Sequence, residues 1–298
     1  MTIDPRAMRS FLAVCRGGSI SEAARRLQVT QPAVSATMAQ LEQTLGTTLF
    51  TRARSGIQLT AAGAALRRRA EAMEAVLEQA EREVSLVKEE VAGPLVIGGT
   101  PGALSSLLPS AVERVKQRYP AFELQVLERS DAQLTELLRA GRIDFAIGTT
   151  GIEPLPEDLE EEAILRDPFA ILVGKRNEHL PSRISLRAID GLQWVLPHAG
   201  GAFRRQIDAL FVASEARAPV NVIRCDSLLT TKAIVRKTDC VTILPREVAA
   251  AELSIGVLRA IEIEGSTFAR AVGIRTARGR RLSPFSEAFV EAVRQLTA

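Results

Sequence analysis

Hydrophobic and polar positions divide the chain into three textures. In the first, up to residue 60, apolar residues recur at helical spacing in short runs. Asp4-Pro5 opens a helix through Arg6–Cys15, with Met8, Phe11, Leu12 and Cys15 spaced to share a side, and Gly17-Gly18 ends it. Two more short helices follow between Ser19 and Leu45. Ser19 is placed as the N-cap of the first, with Glu22 at capping-box spacing. Thr30 is placed as the N-cap of the second, and Pro32 lies in its first turn, where a missing N–H costs nothing. Val34, Met38, Leu41 and Leu45 then step by four, three and four, which puts them on one buried face. Among the other positions, Gln31, Pro32, Ser35, Ala36, Ala39, Gln40 and Gln43 are small or polar, without an acid. That surface suits a DNA groove, where a carboxylate would meet phosphates. Any small helical domain also has one apolar and one polar face, so this pattern alone decides nothing. Leu49–Arg52 and Gly56–Thr60 predict a small hairpin or wing around 53–56. Arg52 and Arg54 stand where they reach phosphates or a minor groove, although solvation explains a single surface Arg equally well.

The second texture is one long helix over 61–92, capped by Thr60 and stopped at Gly93-Pro94. Leu66, Ala70, Met73, Leu77, Ala80, Val84, Val87 and Val91 alternate steps of four and three without a break. A period of 3.5 held this long is a coiled-coil seam, so a dimerisation helix is expected; packing within the chain is the alternative. Arg67–Arg69 and the interspersed glutamates form its solvated flank.

From residue 93 the third texture alternates short β-type runs with amphipathic helices. The runs are Leu95–Gly99, Glu123–Glu128, Asp144–Gly148, Ala170–Val173, Trp194–Leu196, Val220–Arg224 and Val241–Leu244. Leu104–Arg118 and Ala132–Ala140 are among the helices between them. This predicts an α/β module with mostly parallel sheets. About 200 residues exceed one compact unit of this kind and fit two small subdomains.

Composition narrows the classes. The 298 residues contain no apolar run of about 18, so no membrane span or membrane partner is expected. Charged residues precede any apolar stretch at the N-terminus, which lacks a secretory leader, and three cysteines (Cys15, Cys225, Cys240) form no close-spaced cluster. A reduced, cytoplasmic setting is expected. With His179 and His198 the only histidines, no zinc set can be assembled, and no metal or other cofactor is expected. The net charge of +3 is unevenly spread: residues 1–60 carry seven Arg against three acids, a surplus of +4 on the helix-turn-helix end.

The stretch from Met8 to Leu66 closely resembles the LysR-type transcriptional regulator family. The resemblance lies in Ser19…Glu22-Ala23-Ala24…Leu27, Thr30-Gln31-Pro32-Ala33-Val34-Ser35, Leu41-Glu42…Leu45-Gly46…Leu49-Phe50…Arg52 and Leu59-Thr60…Gly63. It implies a winged helix-turn-helix reading double-stranded DNA through Thr30, Gln31, Pro32, Ser35, Ala36, Gln40, Arg52 and Arg54. The family commonly has Arg or Lys where Ala36 stands, which shifts weight here to Gln31, Gln40 and the wing. The resemblance also implies a linker helix that pairs two heads into a homodimer, assembly to a homotetramer, contact with RNA polymerase, and a two-lobed effector module like type II periplasmic binding proteins. The expected division is 1–60, 61–92 and 93–298. Lobe I spans about 93–165 and 268–298, and lobe II about 166–267. The chain crosses between lobes near Leu165–Asp167 and Glu264–Phe268.

Ligands of open α/β sheets bind beyond the carboxyl ends of strands. Thr100, Ser130 and Thr149 follow strands in the first lobe, and His198, Phe203, Arg204 and Asp226 follow strands in the second. Each also fits an ordinary cap or turn, and the family resemblance adds weight to Thr100, Ser130, Thr149 and His198. Helix N-termini together with His198 or Arg204 point to a small anionic organic effector. The fragments 194–197 and 239–245 resemble a subgroup responding to aromatic acids, aryl sulfonates or sugar-derived molecules. An enzyme is not expected: the Gly98–Gly102 loop lacks the Lys of a phosphate-binding loop and the spacing of a dinucleotide fingerprint. A purely architectural DNA binder would leave the two-lobed module unexplained.

Overall fold

Residues 3–53, 56–88, 90–152, 154–189, 191–198 and 202–296 are described by a computed structural model. The head contains α1 (Pro5–Gly17), α2 (Ile20–Leu27), α3 (Gln31–Leu45) and a wing of antiparallel β1 (Phe50–Ala53) and β2 (Gly56–Leu59). Its core is Met8, Phe11 and Leu12 of α1, Ala23 and Ala24 of α2, and Val34, Met38 and Leu41 of α3, all buried. The Ser19 hydroxyl accepts the Glu22 N–H at 3.1 Å. The expected capping box is not reciprocal, because the Glu22 carboxylate takes Arg25 (2.6 Å) and Arg26 (2.9 Å). Thr30 stands at the α3 N-cap, but its hydroxyl makes no cap bond. Gly46 closes α3 in the left-handed conformation, φ 64°, which disfavours any side chain.

The long helix α4 (Ala61–Lys88) begins inside the head. Thr60 caps it by accepting the Gly63 N–H at 3.0 Å. Gly63 packs so closely on β1 that a Cβ there would lie 2.2 Å from the Leu49 carbonyl oxygen. Ala70 is fully buried, with Leu66 and Met73 packed beside it on the head core. Arg16 of α1 grips Glu74, with one hydrogen bond of 3.0 Å. The expected interchain seam is therefore shortened: Leu66, Ala70 and Met73 are used within the chain, because α1 lies along the start of α4. Val91 lies past the end of the helix. Ala80, Val84 and Val87 remain exposed, the two valines at 60% and 73%. On the other side of α4, Gln79 Nε2 donates to Asp144 at 3.1 Å, and Arg142 reaches Glu78 at 2.7 Å, so the helix is also tied to the C-terminal module.

That module is built from β3 (Ala92–Gly99), α5 (Pro101–Arg118), β4 (Phe122–Glu128), α6 (Asp131–Arg139), β5 (Phe145–Thr149), β6 (Leu159–Val173), β7 (Arg183–Ile184), β8 (Trp194–Leu196), α7 (Ala202–Ala213), β9 (Val222–Arg224), α8 (Leu228–Lys237), β10 (Val241–Pro245), α9 (Ala250–Ser254), β11 (Arg259–Ile263), β12 (Ala269–Ala277) and α10 (Pro284–Arg294). Strand order is β4-β3-β5-β12-β6-β10-β8-β9, with β11 and β7 branching from β6.

The sheet is mixed, not mostly parallel. β3–β4, β3–β5, β8–β9, β8–β10 and β7–β11 pair in parallel, whereas β6 and β12 run antiparallel to their neighbours. The expected short strand 170–173 is the end of 15-residue β6, whose Glu160–Glu162 segment pairs with β12. β9 begins two residues later than expected, and strands β7 and β11 were not anticipated. Strand β6 pairs with β12 through Pro168 and with β10 from Phe169 onward, so it is shared by two cores. Leu95, Ile97, Phe145, Ile274 and Phe289 centre one core. Beyond Phe169, alternate β6 residues feed opposite faces: Ile171 and Val173 join Trp194 and Phe211, and Ala170 and Leu172 join Val195 and Val235. Helices cover both faces, as parallel strands of continuous apolar sequence require. Among the described residues, no helix is long and apolar enough to cross a membrane.

Candidate effector cavity and DNA-reading face

The carboxyl ends of β3, β5, β8 and β10 converge on a cavity of about 670 Å³, within the range that holds a small organic molecule. All seven residues selected from sequence line it: Thr100, Ser130, Thr149, His198, Phe203, Arg204 and Asp226. They come from segments up to 126 positions apart, from Thr100 to Asp226, and strand ends bring them together.

The first-lobe wall is made by two helix starts. Thr100 occupies the N-cap of α5 with a hydroxyl that makes no cap bond, and Pro101 follows without an N–H. The Ala103 N–H already donates to the Thr100 carbonyl at 3.1 Å, so Gly102, which lines the cavity, supplies the backbone donor of that opening turn. Ser130 precedes α6, and both its N–H (3.2 Å) and its hydroxyl (3.1 Å) donate to Gln133 Oε1. Thr149 ends β5.

The second-lobe wall is more occupied than the sequence suggests. The Asp226 carboxylate accepts the His198 N–H at 2.8 Å and faces its ring Nδ1 at 3.0 Å. That places the proton on Nδ1 and leaves Nε2 for a ligand. Arg204 is buried; its Nε donates to Asp208 (2.8 Å) and its Nη1 to the Pro197 carbonyl (3.3 Å). It therefore fastens α7 to the loop after β8 through Nε and Nη1. The Phe203 ring stacks near Phe169, centroids 6.1 Å apart. Residues 199–201, between His198 and α7, lie outside the described residues.

Sequence reading missed Arg270, which lines this cavity, and its buried partner Asp167. Arg270 of β12, 3% exposed, donates from Nη2 to Asp167 (3.1 Å), Ser106 Oγ (3.1 Å) and the Gly102 carbonyl (3.3 Å). Asp167 of β6 is fully buried and accepts the Glu247 N–H at 3.0 Å with its other oxygen. Burial pushes the Arg270 guanidinium below its ordinary pKa, and Asp167 opposes that fall. A guanidinium still keeps its charge. The only local signal was a charge beside apolar strand runs, Asp167 before Phe169–Val173 and Arg270 before Val272 and Ile274. Cys225 and Thr242 also line the cavity without having been selected; Thr242 donates to the Val195 carbonyl at 2.7 Å.

On the head, Thr30, Gln31, Pro32, Ser35, Ala36 and Gln40 are all exposed on α3 and its cap. Arg52 lies on β1, opposite Ile57. Arg54 lies outside the described residues.

Comparison with known proteins follows this division of labour. Residues 5–64 match the model of the bacterial regulatory helix-turn-helix protein, lysR family, and residues 88–298 match the LysR substrate binding domain. The chain is 26% identical to the HTH-type transcriptional regulator GalR of Pseudomonas putida over 98% of this chain and 73% of that protein. It is 30% identical to GbpR of Rhizobium radiobacter over 81% of each. Among solved structures, full-length CbnR complexed with its target DNA aligns with a TM-score of 0.69 at 21% identity, covering 98% of this chain and 99% of that one.

Proposed function

Since the chain belongs to the LysR family of DNA-binding transcriptional regulators, with a substrate-binding module behind its helix-turn-helix head, we propose that a small organic anion in the interlobe cavity controls how its heads engage DNA. The observation that carries this reading is the convergence of seven separated residues on one cavity, beside the uncapped start of α5. On this reading the chain divides into a head (1–60), a linker helix (61–92) and a two-lobed module (93–298), with residues 93–165 and 268–298 as one lobe and 166–267 as the other. Thr100, Ser130, Thr149, His198 and Phe203 contact the effector, with Arg204 and Asp226 holding the second wall.

The exposed Ala80, Val84 and Val87 support pairing of two chains along α4. Two recognition helices related by a two-fold enter major grooves about 34 Å apart, so the target is a partly palindromic promoter site in cytoplasmic DNA. Assembly of two such dimers into a homotetramer, and contact with RNA polymerase, complete the proposal. Gln31, Ser35 and Gln40 carry base contact, because Ala36 offers no charge there, and Arg52 and Arg54 contribute from the wing.

Genome-wide mapping of bound sites tests the reading, followed by calorimetric titration of organic acids drawn from the neighbouring genes' pathways. Half-sites with two-fold symmetry and tight binding of an acid are expected. Tight binding of neutral or cationic compounds alone would overturn the anionic reading.

A further inference from the structure

We propose that Arg270 reads the charge of the effector and, through Asp167, transmits it to the junction between the lobes; this rests on the anionic reading above. Four basic groups, cationic or protonatable, line the cavity: Arg129, His198, Arg204 and Arg270. Arg129 is exposed to solvent and donates from Nη1 to the Glu128 carbonyl at 2.7 Å. His198 is largely exposed and already faces Asp226. Arg204 is held by Asp208 and a backbone carbonyl. Arg270 differs from all three. Its Nη2 takes three acceptors, yet its buried Nε has no hydrogen-bond partner, and its Nη1 has none among the described residues. Nη1 lies beside Gly102, which also lines the cavity, so an acceptor arriving there meets an unmet donor on a desolvated cation and is strongly favoured.

The position of the guanidinium says where that acceptor sits. It lies against the first turn of α5, since a Cβ on Gly102 would come 2.9 Å from Nη1. The positive end of α5 and the cation therefore converge on one spot, and an anionic oxygen placed there meets both. Asp167 neutralises the guanidinium when the cavity holds nothing.

The same group stands at the junction of the two cores. Arg270 is the second residue of β12 and pairs with Asp167 of β6, one residue before the β12-paired part of that strand ends at Pro168. Asp167 also accepts the N–H of Glu247, in the turn after β10. An anion that draws Arg270 toward α5 weakens its hold on Asp167 and so loosens the tie to the 246–249 turn. Binding in one lobe is thereby felt by the other.

The test uses the full-length chain and calorimetry with benzoate, benzenesulfonate and gluconate, each set against a neutral counterpart such as benzamide. Wild type is expected to bind at least one acid and to prefer it to the amide. Arg270→Lys keeps the charge but loses Nε and Nη1, and should bind that acid roughly 10- to 100-fold more weakly, with the amide unchanged. Equal acid binding by wild type and Arg270→Lys would sink the role of Arg270 while leaving the anionic reading intact. If wild type binds none of the acids, the anionic reading falls and this inference with it. Should Arg270→Lys lose its cooperative melt, Gly102→Ala carries the test: a Cβ there comes 2.9 Å from Nη1 and crowds the spot where the anion meets it, so acid binding should weaken, and an unchanged acid-to-amide preference overturns the proposal. Asp167→Asn should keep acid binding while losing the acid-induced change in DNA footprint; a retained change contradicts the transmission step.

Discussion

At the scale of single residues, the head and the cavity make different demands. Ser35 is exposed in the acid-free face of α3, so Ser35→Glu puts a carboxylate against phosphates and should abolish specific DNA binding in a mobility-shift assay. Ligand affinity in the module should be unchanged by that substitution. The three thiols offer a second check. Burial pushes the Cys15 thiol up to about 11, which keeps it protonated and poorly nucleophilic near neutral pH. Cys240 is buried, whereas Cys225 is partly exposed and lines the cavity. Alkylation of the native protein at pH 8 should therefore label Cys225 first, and a bound effector should slow that labelling. Rapid labelling of Cys15, read by peptide mass spectrometry, would contradict this assignment.

At the scale of elements, the sequence was most legible where periodicity and burial coincide. The α3 face of Val34, Met38 and Leu41 is buried as its spacing requires, and the wing strands fall within a residue of expectation. Strand β6 was only partly legible, because Glu160–Glu162 hides a strand whose support comes from β12, more than 100 residues later. The heptad pattern of α4 predicts one seam, yet the helix serves two partners within the chain: α1 takes Ala70, the module takes Gln79, and only the later seam positions stay exposed. Periodicity reports an apolar stripe and not what covers it. In the cavity, residues after strand ends were recoverable by rule; Asp167 and Arg270 were not, since their significance arises from a pairing across the crossover strands. Gly63 shows how tightly α4 sits on the wing. Gly63→Ala should cost the head roughly 1–3 kcal/mol, seen as a lower melting temperature and weaker DNA binding. An unchanged melt would mean that β1 yields easily.

At the scale of the whole molecule, α4 joins reader and sensor. Its exposed valines predict that Val84→Glu with Val87→Glu shifts the protein toward monomers in analytical ultracentrifugation and weakens binding to a two-half-site operator far more than to one half-site. On the proposed reading, α6 connects the cavity to the linker helix. Ser130 and Gln133 at its start line the cavity, and Arg142 just beyond its end holds Glu78 of α4. On that reading, movement of one lobe reaches the helix that spaces the heads. The most direct test is a footprint of the mapped operator with and without the acid that binds the cavity. The account predicts a changed footprint, in length or in the spacing of protected half-sites, with the half-sites themselves retained. Identical footprints and identical affinity at saturating acid would contradict it.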